Sequence, residues 1–272
     1  RRQRCELSKF SKADFHVHSS FSLDSMTHMF EMCEAAIARG LTSVCFTEHV
    51  EFDPADFGYG FFDYDRYRAG IQEARARYGH ILRIGMGAEV SFTSKKVDEI
   101  RDFLANHEFD FVLGSLHMID ELFIGGDEYF EGRTEEEVYA PYWAELAAMA
   151  SSGLFKRIGH LDYLKQAHPP TWGPFSFEHW QDHIARALEA ILASGATIEV
   201  NTSGIRKGLG EPFPSWEIIE LYKALGGVSV TMGSDAHRPW HVAGYFDIVG
   251  ARLEQMGLAV LGPETLSPGF DQ

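Results

Sequence analysis

Seven times along this chain a short apolar run is followed by a longer amphipathic stretch, and no other feature restricts the possible folds as strongly. The runs are ADFHVH (13–18), SVCFTEH (43–49), RIGMGAEVSF (83–92), FDFVLGSLHMI (109–119), KRIGHLDYL (156–164), ATIEVNTSG (196–204) and VSVTMGSDAH (228–237). Each is short, several are rich in Val, Ile and Phe, and most have Gly, Ser or Asp nearby, so they read as buried strands. Helical periodicity fills the intervals 29–40, 64–79, 97–107, 135–151, 179–195, 215–227 and 245–257. In the first of these, Met29, Met32, Cys33, Ala36 and Ile37 share a face, and Gly40 suits a C-terminal cap. Pro141 interrupts the fourth and predicts a kink. Strict strand–helix alternation implies parallel strands. Seven units, with a short eighth strand at Leu258–Leu261, exceed what most open sheets need. The expected fold is α/β, a TIM-like barrel, with a doubly wound open sheet as the alternative. No linker or internal repeat divides residues 1–272, which read as one domain.

Composition removes several classes of function. At 45% hydrophobic and 24% charged residues, the chain is an ordinary globular one with material for a sizeable core. Against 40 Asp and Glu stand 24 Lys and Arg, a net charge of −16, which disfavours nucleic acid as a partner. Metal ions inside a site would reverse that sign locally. Cys5, Cys33 and Cys45 show no CxxC spacing and no disulfide framework, so a reduced, cytoplasmic compartment is expected. No apolar stretch reaches the roughly 18 residues of a membrane span. The basic opening, RRQRCELSKFSK, lacks the apolar core of a signal peptide. Oligomeric state leaves no trace in the sequence.

The chemistry lies at the strand ends. In parallel α/β folds ligands bind at the C-terminal ends of the strands. The first run ends in His16 and His18, the second in Glu48 and His49, the third in Glu89 and the fourth in His117. The fifth ends in His160 and Asp162, the sixth in Asn201, Thr202 and Ser203, and the seventh in Asp235 and His237. Six of the thirteen histidines occupy these ends. His16 and His18, two apart on a strand, point to one face and suit a single cation. Singly, each of these residues has a plain structural explanation; jointly, they describe a metal centre. Its mixed nitrogen and oxygen donors suit zinc, manganese or iron. Their number exceeds the needs of one ion, and a carboxylate such as Glu89 can bridge two ions about 3.5–4 Å apart. The remaining histidines are read as solvated or capping residues of helices and loops; His168 and His241 lie in loops within reach of the mouth but are left out of the ligand set.

In order along nearly the whole chain, DFH16-V-H18, TEH49, GAE89, GSLH117, GH160-L-D, NTSGIR206-K-G and GSD235-A-H237 resemble the polymerase and histidinol phosphatase (PHP) superfamily, most closely its histidinol-phosphate phosphatase branch. The resemblance implies a distorted (β/α)7 barrel with a trinuclear centre. It implies that His16, His18, Glu89 and Asp235 hold the first ion, and that Glu89 bridges to a second held by His117 and His160. Asp24, His49 and His237 would hold the third. Many family members carry histidine where this chain has Asp24, so the third site departs towards a harder ion. Glu48 and Asp162 would orient imidazoles.

The implied activity is hydrolysis of a small phosphomonoester, L-histidinol phosphate in histidine biosynthesis, with two or three divalent ions as cofactors. Glu89, Asp235, His237 and Arg206 are the expected catalytic groups. Arg206, Lys207 and Ser203 are the expected phosphate contacts, since a guanidinium matches phosphate bidentately. Acidic residues at 51–56 and the aromatic run FGYGFFDY (57–64) are suited to the ammonium and imidazole of such a substrate. Other superfamily substrates, namely a nucleotide, a sugar phosphate or a phosphotyrosine protein, are the alternative. Amidohydrolase chemistry is disfavoured because no strand-end lysine is available to bridge metals. A complete ligand set disfavours a non-catalytic metal-binding protein.

Overall fold

The apolar runs form strands because both of their faces are covered. The computed structural model describes residues 12–265, so Cys5 and the reading of the basic opening segment lie outside the described residues. Strands β1 (Ala13–Val17), β2 (Ser43–Val50), β3 (Arg83–Ser91), β4 (Phe111–Ser115), β5 (Arg157–Ile158), β6 (Thr197–Asn201), β7 (Ser229–Gly233) and β8 (Ala259–Val260) follow one another in a single sheet. All neighbours are parallel. Helices α1 (Met29–Ala38), α2 (Tyr64–Tyr78), α3 (Val97–Asn106), α4 (Glu135–Ser151), α5 (Phe177–Ala193), α6 (Trp216–Ala224) and α7 (Phe246–Gln255) alternate with them. Met29, Met32, Cys33 and Ala36 of α1 are buried, as their spacing requires. Helix α4 runs unbroken through Pro141 and starts from a reciprocal capping box between Thr134 and Glu137. No described helix is long and apolar enough to cross a membrane.

The sheet curls into a distorted TIM-like barrel. At its start β7 pairs with β8, through Ser229 and Val230. Just beyond its end, Ala236 bridges to Val17 of β1, and the His18 N–H donates to the Ala236 carbonyl at 2.9 Å. The β7–β1 seam is therefore bridged at the mouth, while β8 takes the edge of β7 at the other end. Asp14 stitches this seam. Its carboxylate accepts from Ser234 N at 2.9 Å, Ser234 Oγ at 2.5 Å and Ala243 N at 2.9 Å. Burial lifts this carboxyl to about 6 against the pull of those bonds.

A register shift in β1 between Asp14 and Val17 sets what faces the barrel interior. Phe15 stacks on Phe111 of the non-adjacent β4, ring centroids 5.2 Å apart, so this pair spans the barrel. With Ala13, Cys45 and Leu113 it forms a small apolar cluster separate from the main core of sheet and helices.

Two runs end earlier than their composition suggests. The fourth gives β4 only to Ser115, and residues 118–123 form an antiparallel hairpin whose tip, Asp120 and Glu121, has positive φ. The fifth gives only two strand residues. Pairing continues to the Gly159 N–H, but the His160 N–H goes to the Glu199 side chain at 3.1 Å, and Tyr163–Ala167 coil into a 3₁₀ turn.

Asp14→Ala should leave the Ser234 and Ala243 N–H groups buried without acceptors. We expect a loss of roughly 2–5 kcal/mol in urea denaturation of the variant against the parent protein. A loss below about 0.5 kcal/mol would show that the seam closes without this residue.

Candidate metal centre

Glu89 ends up at the centre because β3 lies between β2 and β4, the strands whose ends carry His49 and His117. It is buried, and its two oxygens face different imidazoles. Oε1 lies 2.8 Å from His160 Nε2 and 3.4 Å from His117 Nε2. Oε2 lies 3.0 Å from His16 Nε2, 3.4 Å from His18 Nε2 and 3.1 Å from His49 Nδ1. Asp235 adds a second carboxylate, with Oδ1 at 3.6 Å from His18 Nε2 and 3.4 Å from His237 Nδ1. Asp24 Oδ2 closes the rim at 2.9 Å from His237 Nε2 and 3.5 Å from His49 Nε2.

These atoms form donor sets rather than ordinary ion pairs. Ligand atoms of His16, His18 and Asp235 lie within 4.8 Å of one another, as do those of His49, Glu89 and His117, and those of His18, His49 and His237. His18 Nε2, His49 Nδ1 and His237 Nε2 are buried and make no well-directed hydrogen bond, although carboxylate oxygens stand 3.4, 3.1 and 2.9 Å away. A buried nitrogen without a well-directed partner is costly, and cations bound among these donors would relieve it. Burial, then His237 and His49, push His18 well below the ordinary imidazole value, leaving the neutral form that can ligate a metal. Burial opposes charge on Glu89, yet His16, His117 and His49 hold it well below the usual carboxylate range. The residues therefore fit divalent ions with nitrogen and oxygen preference.

A second layer fixes the imidazoles. Glu199 on β6 accepts from His16 Nδ1 at 2.7 Å. It reaches His16 only because residue 233 is glycine: a methyl there would overlap both Glu199 Oε1 and His16 Cβ. Glu51 accepts from His117 Nδ1 at 2.9 Å. Ser22 Oγ stands 3.1 Å from His18 Nδ1 and donates to Glu48 at 2.6 Å.

A model of the PHP domain matches residues 14–203, the stretch that carries β1 to β6 and most of these ligands. The chain belongs to the PHP family. The histidinol-phosphatase of Lactococcus lactis is 30% identical, over 84% of this chain and 86% of its own length. That of Bacillus subtilis is 28% identical, over 84% of this chain and 94% of its own length. The crystal structure of histidinol phosphate phosphatase from Lactococcus lactis, complexed with zinc, L-histidinol and phosphate, matches with a TM-score of 0.81 at 27% identity. The match covers 92% of this chain and 95% of that one.

All nine residues that the PHP resemblance implies as ligands, His16, His18, Asp24, His49, Glu89, His117, His160, Asp235 and His237, converge on this one mouth. Asp24, the departure from the usual histidine, stands between His49 and His237. The residues expected to support them need correcting. Asp162 touches no imidazole; it takes Lys165 Nζ at 2.8 Å and the Ser215 N–H at 2.9 Å, because the turn after His160 carries it away from the mouth. Glu48 acts through Ser22 rather than directly, since it points to the face opposite His49. Ser203 is buried beneath the site and donates to Asp235 at 3.3 Å. The Arg206 fork grips the Ser234 carbonyl at 2.9 Å and the Asp235 carbonyl at 3.0 Å. It thereby clamps a ligand whose backbone has φ of 52°, a conformation a non-glycine residue holds only under constraint. Arg206 and Lys207 nevertheless line the same cavity of about 280 Å³ as His117, His160 and Asp235. So does His241, whose loop the sequence placed within reach of the mouth though outside the ligand set; burial, then Arg206 and Arg238, lower it to about 4. His168 bonds Tyr139 and Gly173 instead.

Glu199 and Ser22 were not legible as site residues, and Glu51, read from the sequence as facing a substrate cation, holds His117. The one available signal was an acid in the middle of the apolar run ATIEVN. Glu199→Gln should weaken zinc binding by about 10–100-fold, read by titration against a chromogenic chelator. Unchanged affinity would mean that His16 is held in place by packing alone.

Proposed function

We propose that this chain is a metal-dependent phosphomonoesterase that hydrolyses L-histidinol phosphate to L-histidinol and phosphate. The observation that carries this reading is the position of Glu89, one oxygen towards His117 and His160 and the other towards His16 and His18, beside a cavity with a cationic wall. Similarity to a phosphatase whose structure holds zinc, L-histidinol and phosphate supports the substrate.

In this reading His16, His18, Glu89 and Asp235 hold one ion, Glu89, His117 and His160 a second, and Asp24, His49 and His237 a third. Zinc, manganese and iron all suit these donors, and among the described residues no thiolate competes, since Cys33 and Cys45 are buried elsewhere in the fold. When bound, such ions supply a water acidified towards about pKa 7 and neutralise charge on the phosphoryl group. The chain's own part is placement. Arg206 holds the Asp235 turn through two backbone carbonyls and, with Lys207, gives the cavity the positive wall that a phosphate dianion needs. His237 and Asp235, 3.4 Å apart, complete the side of the site next to this wall. The acidic chain as a whole repels polyanions, which favours a small phosphate ester over nucleic acid.

Phosphate release from L-histidinol phosphate should proceed with kcat/KM of about 10⁴ M⁻¹s⁻¹ or more. Glu89→Ala should abolish it, and activity retained within about tenfold would reject the bridging role. Preference for a nucleotide or a phosphopeptide by about a hundredfold would move the substrate to another branch of the superfamily.

A further inference from the structure

A side cavity of about 340 Å³ adjoins the metal centre at Arg206. Arg39, Arg206, Trp240, His241, Gly244 and Tyr245 line it, and Arg206 and His241 also line the cavity over the metal ligands. The two spaces therefore share a wall. Arg39 caps the end of α1, Arg206 follows β6, and the other four belong to the loop between β7 and α7.

The lining is rich in hydrogen-bond donors and poor in acceptors. Arg206 gives two of its N–H groups to the Ser234 and Asp235 carbonyls, and Arg39 gives one to the Trp240 carbonyl at 3.1 Å, so each guanidinium keeps donors to spare. Neither the Trp240 indole N–H nor the Tyr245 hydroxyl has a protein partner among the described residues. The loop carbonyls are already engaged: that of His241 by the Gly244 N–H at 2.9 Å, that of Gly244 by the Thr202 hydroxyl at 2.7 Å and that of Tyr245 by the Val249 N–H at 3.0 Å.

Charge points the same way. Among the described residues no carboxylate lines this cavity, and Arg39, Arg206 and Arg238 form no salt bridge, in a chain whose net charge is −16. Arg238 stands over the Trp240 ring, 5.5 Å from its centre, and adds to the positive field. The loop is also held in a costly shape. Ala243 and Tyr245 have φ of 49° and 63°, and bonds from Arg39 to Trp240, from Ala243 to Asp14 and from Thr202 to Gly244 pin it. Such strain persists where the surroundings over-determine it, and it is concentrated at functional loops.

We propose that Arg39, Arg206, Trp240 and Tyr245 form a second oxyanion site, which takes inorganic phosphate and, when filled, slows turnover at the metal centre. The coupling runs through Arg206, whose charge is shared between the two spaces. A phosphate on the outer side offsets the charge that faces the reacting phosphoryl group and draws on the clamp that holds the Asp235 turn. The inhibitory half of this proposal rests on the phosphomonoesterase reading above; the binding half does not.

The test uses the zinc-replete protein, Arg39→Gln, which removes the charge and keeps an N–H for the Trp240 carbonyl, and Arg39→Lys, which keeps the charge. Calorimetric titration with inorganic phosphate should show two sites per chain in the parent. The second should weaken by about tenfold or more in the glutamine variant and be largely restored in the lysine variant. Turnover of saturating L-histidinol phosphate, followed as L-histidinol released, should fall about fivefold when phosphate fills the second site of the parent. In the glutamine variant that fall should vanish, while kcat without added phosphate and zinc content stay as in the parent. One phosphate site in the parent, or two in the glutamine variant with affinities within about threefold of the parent's, overturns the site. A second site lost with Arg39, but with phosphate lowering kcat equally in parent and variant or in neither, overturns its inhibitory role. If the parent shows the Arg39-dependent second site but hydrolyses no ester, the phosphomonoesterase reading fails while the site stands. Loss of zinc, or of kcat without added phosphate, in the glutamine variant would make Arg39 a structural support and would likewise overturn the proposal.

Discussion

A single buried carboxylate, Glu89, faces five imidazoles, and the rest of the mouth is arranged around that meeting. The arrangement sets six imidazoles around three acids, Glu89, Asp235 and Asp24. His18 stacks against His49 and His237 with ring centroids 4.3 and 4.2 Å away, and burial together with these two neighbours pushes the His18 pKa well down. Divalent cations would hold these donors together. The outer carboxylates follow the same logic. Glu199 and Glu51 each take the far nitrogen of one imidazole, which turns the other nitrogen towards Glu89.

The fold makes this convergence possible through its irregularities. The register shift in β1 puts Phe15 across the barrel interior and His16 and His18 at the mouth. The seam between β1 and β7 is closed at the mouth by Ala236 and stitched by Asp14, and this places Asp235 beside His16 and His18. Arg206 then holds the left-handed turn at Asp235. Gly233 leaves room for Glu199. Each of these departures from a regular barrel lies within two residues of a ligand or contacts one directly. That is where strain and irregular pairing are retained when they position chemistry.

Much of this was legible in the sequence because it is periodic or positional. The buried strands are continuous apolar runs, the helices repeat at 3.6 residues, and ligands sit where parallel strands end. The less legible features depend on contacts between distant segments. Nothing local distinguishes Glu199 from any acid in a strand, and its role needs β1, β6 and β7 side by side. Asp162 has the same spacing from His160 as His18 has from His16, but the chain turns after His160 and gives it to Lys165. Arg206 reaches the cavity as its motif implies, yet its fork is engaged by backbone carbonyls that lie 28 and 29 residues away in the chain. The hairpin at residues 118–123 was hidden because its apolar residues continue the β4 run, and the Asp120–Glu121 tip lacks the glycine that usually marks such a turn.

Zinc-edge anomalous diffraction from crystals of the zinc-loaded protein tests the central role of Glu89 most directly. The account predicts two anomalous peaks roughly 3.5–4 Å apart, one within bonding reach of each Glu89 oxygen, the first also near His16, His18 and Asp235 and the second near His117 and His160, with a third peak beside Asp24, His49 and His237. A single peak, or two peaks neither of which touches Glu89, would contradict it.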